Sequence, residues 1–352
     1  MKDKETTGPG GRALLGWMRA AAVRLGPPGL GAVAARAAET EVTRLAPVGR
    51  AVGMKLFSDG VLVVGFSQIP AAEGNVVPAR NCGLKEGDII THINASEVDT
   101  IEQVQQQLQE IGGEEMSIRA LRRGKPFQLT AQAVKCSTDG CYKLGAWLRD
   151  SMAGIGTVTW YDPDTGYFGA LGHGINDVDT AQLMPLDSGG VLSATVTDVK
   201  KGQRGEPGEL HGEFDLDTDI GVLTANTHSG VFGRLEVPEL NSLPTVEVAG
   251  HGQVETGEAV IYSNIAGTEV REYTVEITRV NANAGDGRDM TLKITDPALL
   301  SATGGIVQGM SGSPILQNGR LVGAVTHVLV DDPTQGYGIF VENMLKAAEV
   351  VA

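Results

Sequence analysis

Short apolar runs separated by glycine-rich turns fill most of the chain after residue 52. The run Gly60 to Phe66 is apolar throughout and bounded by glycines, which is typical of a buried strand. Turn sequences such as Asp162-Pro163-Asp164-Thr165-Gly166 separate the later runs. Further strands are predicted at residues 156–160, 191–199, 258–262, 272–280, 290–294 and 320–330. So many short strands in succession predict a mostly β protein built on a double β-barrel.

Two segments depart from this strand pattern. Apolar residues recur at helical spacing from Val98 to Ile111, and Glu342 to Val350 also has a helical pattern. A strand is predicted at 114–123, and the pair Gly124-Lys125 predicts a hairpin turn into 126–134. The region before about residue 135 therefore reads as an α+β module that precedes the β-rich remainder.

Composition and charge narrow the class of protein. The chain has 352 residues, 41% hydrophobic and 20% charged, with a formal net charge of −15. This charge argues against nucleic-acid binding, because no basic surplus exists to displace counterions. The one candidate targeting segment, 13–38, is interrupted by Arg19, Arg24 and Arg36. Residues 1–45 are therefore expected to be an N-terminal tail or a degenerate signal or membrane segment.

The cysteines leave one question open. Cys136 and Cys141 flank a Ser-Thr-Asp-Gly turn, so a local disulfide is conceivable in an oxidising compartment. No second ligand pair with zinc spacing accompanies them, and the histidines lack the mutual spacing of a metal site. We therefore expect no metal and no cofactor.

A candidate nucleophile lies in Gly309-Met310-Ser311-Gly312-Ser313-Pro314. Glycines let the backbone approach a substrate, and the N–H groups of Gly309 and Ser311 would form an oxyanion hole. His173, flanked by Gly172 and Gly174, is the candidate base. Histidine before serine is the chymotrypsin order, and the motif also fails the Gly-x-Ser-x-Gly pattern of α/β-hydrolases. The alternatives are an ordinary turn and a structural histidine.

The segment Gly83-Leu84-Lys85-Glu86-Gly87-Asp88-Ile89-Ile90, with Asn94 after it, resembles a PDZ domain of bacterial proteases. PDZ domains bind an extended peptide, often a free C-terminus, as an added strand. The resemblance implies that the peptide's carboxylate is held by the backbone of Val52, Gly53, Met54 and Lys55. The alternative is a module that only packs against its neighbour.

With Ala170 to Ile175, Thr303 to Ile315 and Gly323 to Val328 added, the chain resembles the stage IV sporulation protein B peptidases. The resemblance implies a PDZ domain at 46–135 followed by a chymotrypsin-like double β-barrel serine peptidase domain at 136–352. It also implies export from the forespore to the intermembrane space and membrane association before processing. The implied substrate is a membrane-bound regulator of the protease that activates a late mother-cell sigma factor. Self-cleavage near the N-terminus is implied as well.

The acid of the triad has two candidates. The resemblance implies His173, Asp296 and Ser311, whereas spacing alone favours Asp219, in Asp219-Ile220-Gly221-Val222-Leu223. Either aspartate could instead be a turn or capping residue. Val325, Thr326 and His327 follow the nucleophile turn and are expected to face the substrate or support the site, although His327 could be purely structural.

Three functions remain open at this point. The leading one is a signalling serine endopeptidase of narrow specificity whose PDZ domain binds peptide. The second is a non-catalytic PDZ peptide-binding adaptor with an inert protease fold. The third is a general quality-control protease of the HtrA type, although such proteins place the PDZ domain after the protease.

Overall fold

The computed structural model describes residues 43–351, except 282–283 and 285–286; the side chains of residues 216, 217 and 351 are also left undescribed. The expectation of an N-terminal tail or membrane segment concerns residues 1–42 and so lies outside the described part. Within the described residues, no helix is long and apolar enough to cross a membrane.

The described chain is mostly β, as the sequence predicts. The strands are β1 (Arg44–Pro47), β2 (Ala51–Phe66), β3 (Ile69–Ala71), β4 (Gly74–Val76), β5 (Ile89–Ile93), β6 (Ser96–Glu97), β7 (Glu115–Arg122), β8 (Lys125–Gln132), β9 (Val134–Lys135), β10 (Tyr142–Lys143), β11 (Ala146–Tyr161), β12 (Tyr167–Ala170), β13 (Ser188–Lys200), β14 (Glu209–Thr227), β15 (Gly230–Leu235), β16 (Val246–Val248), β17 (Gly257–Ser263), β18 (Arg271–Val280), β19 (Met290–Ile294), β20 (Pro314–Gln317), β21 (Arg320–Val328) and β22 (Gln335–Phe340). The helices are α1 (Pro78–Asn81), α2 (Ile101–Ile111), α3 (Pro297–Thr303) and α4 (Val341–Val351).

Two closed antiparallel barrels form the larger part of the fold. The first runs β2–β11–β12–β15–β14–β13 and returns to β2. The second runs β17–β18–β19–β22–β21–β20 and returns to β17. Within each barrel the strands follow the same order, 1-2-3-6-5-4. The chain is therefore a double β-barrel with repeated topology, and the predicted fold class is confirmed.

A smaller α+β module is inserted into the first barrel. Strand β2 begins in the barrel, leaves it as a ribbon with β11, and pairs with β5 at Val61 and Leu62. Strands β5, β7 and β8 and helix α2 complete this inserted module, residues 61–148. The predicted domain boundary is wrong at its N-terminal end. Residues 46–57 are barrel residues, because Ala51 to Phe57 pair with β11 on one edge and Val52 to Phe57 pair with β13 on the other.

Each unit has its own apolar core. Phe168 and Val231 lie in the core of the first barrel, Ile315 and Val325 in that of the second, and Ile90 and Leu108 in that of the inserted module. A small cluster of Leu56, Leu62 and Met184 fills the junction between the first barrel and the module. Since side chains of both units contribute to this cluster, the module is packed against the barrel as well as joined to it.

The sequence pattern of helix α2 explains its boundaries. Thr100 caps the helix by accepting from the N–H of Gln103, and the Gln103 side chain accepts from the Thr100 N–H in return. This reciprocal capping satisfies two N–H groups that the helix itself cannot pair. Val104 and Leu108, one turn apart, are its buried residues. The helix predicted from this apolar spacing is confirmed, with its start at Ile101.

Cys136 and Cys141 are adjacent across the turn between β9 and β10. The Cys136 N–H donates to the carbonyl oxygen of Cys141 (2.8 Å), while both thiols are free. The turn therefore closes through backbone bonds without a disulfide.

Candidate functional site

The nucleophile turn lies between helix α3 and strand β20. Gly309 and Gly312 have φ values of +96° and +97°, which strongly favour glycine. A Cβ on Gly312 would lie 2.0 Å from the Thr157 carbonyl oxygen of the first barrel. These glycines therefore allow the turn that carries Ser311 to press directly against the other barrel.

The histidine loop follows strand β12 of the first barrel. Gly172 has a φ of +69°, and a Cβ there would lie 2.9 Å from side-chain atoms of Thr326 and Ile339 in the second barrel. Asn226 holds the far side of the loop: its side-chain oxygen accepts from the Ile175 N–H (2.8 Å), and its amide donates to the Ile175 carbonyl (2.9 Å). The position of His173 is thus fixed on one side by the contact of Gly172 with the second barrel and on the other by the hydrogen bonds of Asn226.

His173 and Ser311 line one cavity of about 530 Å³ between the two barrels. The structure therefore brings together the two residues on which the catalytic hypothesis depends, although they lie in different barrels. The remaining walls of the cavity are largely apolar and come from both barrels: Met54, Met152, Ile155, Leu171, Ile175, Val178, Ile306, Val307, Val328 and Val330.

The hydrogen bond of His173 fixes its tautomer. Its Nδ1 lies 2.8 Å from the carbonyl oxygen of Gly174. Because a carbonyl oxygen only accepts, Nδ1 carries the hydrogen and Nε2 keeps its lone pair. Burial lowers the pKa of His173, and the bond to Gly174 opposes that change. The imidazole is therefore neutral near pH 7 and has a nitrogen able to take a proton.

Ser311 bonds to a neighbouring strand in this structure. Its hydroxyl donates to the carbonyl oxygen of Thr326 (2.7 Å), which lies in strand β21. The hydroxyl must leave this acceptor before it can donate to His173. The arrangement thus holds nucleophile and base in one cavity without a hydrogen bond between them.

The N–H groups of Gly309 and Ser311 are oriented by hydrogen bonds to the carbonyl oxygens of the same two peptide units. The Gln308 carbonyl accepts from Leu210 (2.9 Å) and the Met310 carbonyl accepts from Ser313 (3.0 Å). In a trans peptide the N–H points opposite to the carbonyl. The N–H groups of Gly309 and Ser311 therefore point away from these partners, as an oxyanion hole at this turn requires.

Asp296 occupies a different place from the one the triad requires. Its carboxylate caps helix α3 by accepting from the N–H groups of Ala298 (2.9 Å) and Leu299 (3.0 Å). It does not line the cavity that His173 and Ser311 share. Since a cap must face the start of its own helix, the structure does not bring Asp296 to the imidazole, and the triad as predicted is not assembled.

The alternative acid, Asp219, does not line the cavity either. It lies on β14 and forms an ion pair with Lys55 (2.7 Å), with 47% of its side chain exposed. In the described part of the chain, the bond recorded for the His173 ring goes to the Gly174 carbonyl and not to a carboxylate.

The three residues predicted to face the substrate divide between two environments. Thr326 and His327 line the cavity, and the His327 and His173 rings lie 5.0 Å apart between centroids. Val325 is fully buried in the core of the second barrel. Val325 therefore does not face the substrate, but its backbone supports the nucleophile turn: its carbonyl accepts from the Gly312 N–H (2.7 Å) and its N–H donates to the Ser313 carbonyl (2.9 Å).

Val52, Gly53, Met54 and Lys55 are not a carboxylate-binding loop. They lie in β2 and pair with β11 on one edge and with β13 on the other. Their backbone is therefore committed to the sheet of the first barrel, and the predicted role is wrong. Met54 instead contributes a wall of the His173 cavity.

The inserted module has its own groove, of about 830 Å³, between α2 and residues 142–148. Gln109 of the helix bonds both the N–H and the carbonyl of Tyr142, each at 2.9 Å. Ala146 and Trp147 pair with β2 on one edge, and among the described residues their other edge carries no strand. Trp147 is 63% exposed there. An open strand edge beside a groove suits an added peptide strand.

No metal centre is formed within the described ranges, where no group of three or more His, Cys, Asp or Glu side chains is placed to share an ion. Sequence reasoning missed the residues that hold the nucleophile turn and the histidine loop in place. Gly174 acts through its carbonyl, and Thr157 has no local pattern that marks it. Only the three-dimensional pairing of the two barrels reveals them.

Comparisons with known proteins agree with this architecture. The family model described as SpoIVB peptidase S55 matches residues 140–345, and a PDZ domain model matches residues 77–122. No curated protein matches the sequence significantly.

Three solved structures are partly similar. The PDZ domain of an SdrC-like protein from Listeria monocytogenes has 22% identity and a TM-score of 0.21, covering 26% of this chain and 87% of its own. The active form of the Rv3671c protease from M. tuberculosis has 15% identity and a TM-score of 0.32, covering 58% and 75%. The HtrA-type protease AlgW has 14% identity and a TM-score of 0.34, covering 59% of this chain and 54% of its own.

Proposed function

Because this chain belongs to the SpoIVB peptidase S55 family and is a serine endopeptidase, we propose that Ser311 is its nucleophile and His173 its general base. One observation carries this assignment. A neutral imidazole with a free Nε2 lone pair and a serine hydroxyl line the same cavity between the two barrels. No other described histidine lines that cavity except His327, which lies beside His173.

The proposed reaction starts when the Ser311 hydroxyl exchanges the Thr326 carbonyl for Nε2 of His173. Ser311 Oγ then attacks the peptide carbonyl carbon as its proton passes to Nε2. The N–H groups of Gly309 and Ser311 stabilise the negative oxygen of the tetrahedral intermediate. His173 delivers the proton to the leaving amine, and water then hydrolyses the acyl-enzyme by the same route.

The Gly174 carbonyl takes the place of an acid beside the base. It holds the tautomer, but a neutral carbonyl stabilises an imidazolium less than a carboxylate does. We therefore expect slow turnover, which suits cleavage of one regulator better than bulk degradation.

The substrate side chain next to the scissile bond is proposed to be apolar. Ile306, Val307 and Val328 are among the apolar walls of the cavity that Ser311 lines, and the ionisable residues among the described lining are His173 and His327. A charged side chain would be desolvated there without a counter-charge. Peptide libraries varied at this position should be cleaved best with aliphatic residues, and a preference for Lys, Arg, Asp or Glu would oppose the proposal.

The biological role extends the family relationship. We propose a sporulation-signalling peptidase that cleaves a membrane-bound regulator of late mother-cell sigma-factor processing and also cleaves itself. Its proposed location is the intermembrane space around the forespore, with membrane association before processing. Membership in the family supports these proposals.

The proposed peptide site of the PDZ domain is the groove between α2 and the open edge of β11. A peptide lying there would pair with the backbone of residues 146–148 and place its side chains toward Leu108 and Val104 of the helix. We assign peptide binding to this edge in place of residues 52–55, which lie within the barrel.

The test compares wild type with Ser311→Ala. Both proteins are incubated and their fragments identified by mass spectrometry, and both are then offered the membrane-bound regulator and unfolded casein. Serine-dependent self-cleavage and regulator cleavage with intact casein support the signalling role. Rapid casein degradation would instead indicate an HtrA-type protease.

A non-catalytic adaptor is the second candidate. It is favoured by the Ser311–Thr326 bond and by the absence of a carboxylate on His173 among the described residues. Identical fragment patterns in wild type and Ser311→Ala, with peptide binding retained, would support the adaptor.

A further inference from the structure

Thr157 of strand β11 touches both halves of the proposed site. It is 1% exposed and lies in the first barrel, where that barrel meets the nucleophile turn of the second. Its N–H donates to the Ser311 carbonyl (3.0 Å) and its hydroxyl donates to the Gly309 carbonyl (2.8 Å). Its own carbonyl accepts from Leu171 (3.2 Å), two residues before His173. One buried residue thus bonds the nucleophile turn and the histidine loop.

The hydroxyl bond matters because Gly309 depends on the hydrogen bonds of its two peptide units for its conformation. Glycine has no Cβ to restrict its backbone, and Gly309 already has a φ of +96°. The bonds on the Gln308 and Met310 carbonyls fix the peptide units on either side. The unit between them is held at both ends, because the Met310 N–H donates to the Val307 carbonyl (3.1 Å) and Thr157 donates to the Gly309 carbonyl. The bond on the Gln308 carbonyl orients the Gly309 N–H, and the middle unit restrains the glycine from its other side.

We propose that Thr157 is a positioning residue that keeps the oxyanion hole formed and aligned with His173. This inference rests on the proposed roles of Ser311 and His173. Thr157 touches no reacting atom; it acts through the carbonyls of Gly309 and Ser311. Its hydroxyl supplies the restraint that a turn rich in glycine lacks.

Thr157→Val tests this role because it keeps the shape and removes the donor. The Gly309 carbonyl then loses its partner in a buried place, and its peptide unit keeps the bond from the Met310 N–H to Val307 but is restrained at one end only. Removal of an oxyanion donor itself costs about 10²–10³-fold in kcat. Loss of a residue that only orients the donor should cost less, on the order of 10- to 100-fold.

Two variants serve as controls. Thr157→Ser keeps the hydroxyl and should stay within about threefold of wild type, since the hydrogen bond is retained. Thr159→Val makes the same chemical change two residues along the same strand. Thr159 is fully buried and its hydroxyl bonds no described residue, so its removal should leave the chemistry unchanged.

The experiment measures labelling of the full chain by an alkyl fluorophosphonate, separating the maximal rate from the half-saturating concentration. The phosphonyl oxygen needs the same N–H donors as a peptide oxyanion, so no peptide substrate is required. We expect Thr157→Val to lower the maximal rate 10- to 100-fold with an unchanged half-saturating concentration, and to lower the melting temperature by only a few degrees. If this variant does not fold, Thr157→Ala replaces it under the same criteria.

Three results would overturn the inference. These are a Thr157→Val rate within threefold of wild type, an equal loss in Thr157→Ser, or an equal loss in Thr159→Val. Failure of the proposed function has a different signature, because wild type itself would then show no labelling that depends on Ser311. In that case Thr157 has no oxyanion hole to position, and the inference falls with its premise.

Discussion

At the scale of single residues, the chemistry depends on a carbonyl in a place where a carboxylate is usual. Gly174 accepts from His173 Nδ1 and so leaves Nε2 available as a base. Burial lowers the pKa of the same imidazole. The two effects are distinct: the bond to Gly174 selects the tautomer and raises the pKa, whereas burial has the larger effect and favours the neutral form that removes a proton from serine.

The pH dependence of cleavage follows from that lowered pKa. The base works only when neutral, so kcat/KM falls as the pH drops through the pKa of His173 in the free enzyme. Since burial lowers that pKa, the acidic limb should lie below about 6.5, the ordinary value for histidine. His228→Gln, which alters an exposed histidine near the same loop, should leave the limb in place. An acidic limb of the kcat/KM profile above pH 6.5 would mean that a negative charge raises the pKa of His173.

The sequence located Ser311 and His173 because glycines on both sides mark positions of unusual backbone geometry. It did not locate the partner of His173, because a backbone carbonyl has no residue type to recognise. Asp296 was misleading for a physical reason. An aspartate before a proline at a helix start has the same local pattern whether it caps the helix or serves a catalytic histidine.

At the scale of elements, the periodicities were informative. The strands near 258–262, 272–280 and 290–294 and the helix near 342–350 are confirmed as β17, β18, β19 and α4. Register and partners depend on contacts far apart in sequence and could not be read from local patterns. Strand β2 is the clearest case, because it serves the barrel with its first half and the inserted module with its second.

The capping role of Asp296 makes a prediction for helix α3. Asn also caps helices well, whereas Ala does not. Asp296→Ala should therefore lower the free energy of unfolding by about 1 kcal/mol, and Asp296→Asn by only a few tenths, as measured by urea denaturation. Fluorophosphonate labelling of Ser311 should persist in both variants.

Asp219→Asn is the control for Asp296→Asn, because it makes the same change at another carboxylate outside the cavity. It breaks an exposed ion pair with Lys55 and should change stability by less than about 1 kcal/mol. Loss of labelling in Asp296→Asn alone, at unchanged stability, would show that Asp296 reaches the imidazole in the active form.

At the scale of the whole molecule, the PDZ domain is connected to the first barrel by a continuous two-stranded ribbon of β2 and β11. Leu62 and Arg149 are partners across that ribbon. Arg149 also pairs with Asp177 and Asp179 in the loop after His173 (2.7 Å to Asp179). The PDZ sequence signature indicated the module correctly. The insertion of the module into the barrel could not be predicted from the sequence, because strand β2, which both units share, has the pattern of a single apolar run.

The insertion predicts that the barrels fold without the module. Replacing residues 63–148 by Asn-Gly would join Leu62 to Arg149 by a two-residue hairpin turn. This variant should unfold cooperatively and label at Ser311, but it should bind no PDZ peptide. The full chain carrying Ser311→Ala is the control for labelling. An unfolded excision variant would show that the module is required for the fold of the first barrel.

The pairing of Ser311 with His173 is tested most directly by the site and rate of fluorophosphonate labelling, mapped by mass spectrometry on the full chain. We expect one adduct on Ser311, absent in Ser311→Ala and at least about 100-fold slower in His173→Gln. An adduct elsewhere, or a rate on Ser311 that does not change when His173 is replaced, would contradict the pairing of this serine with this histidine.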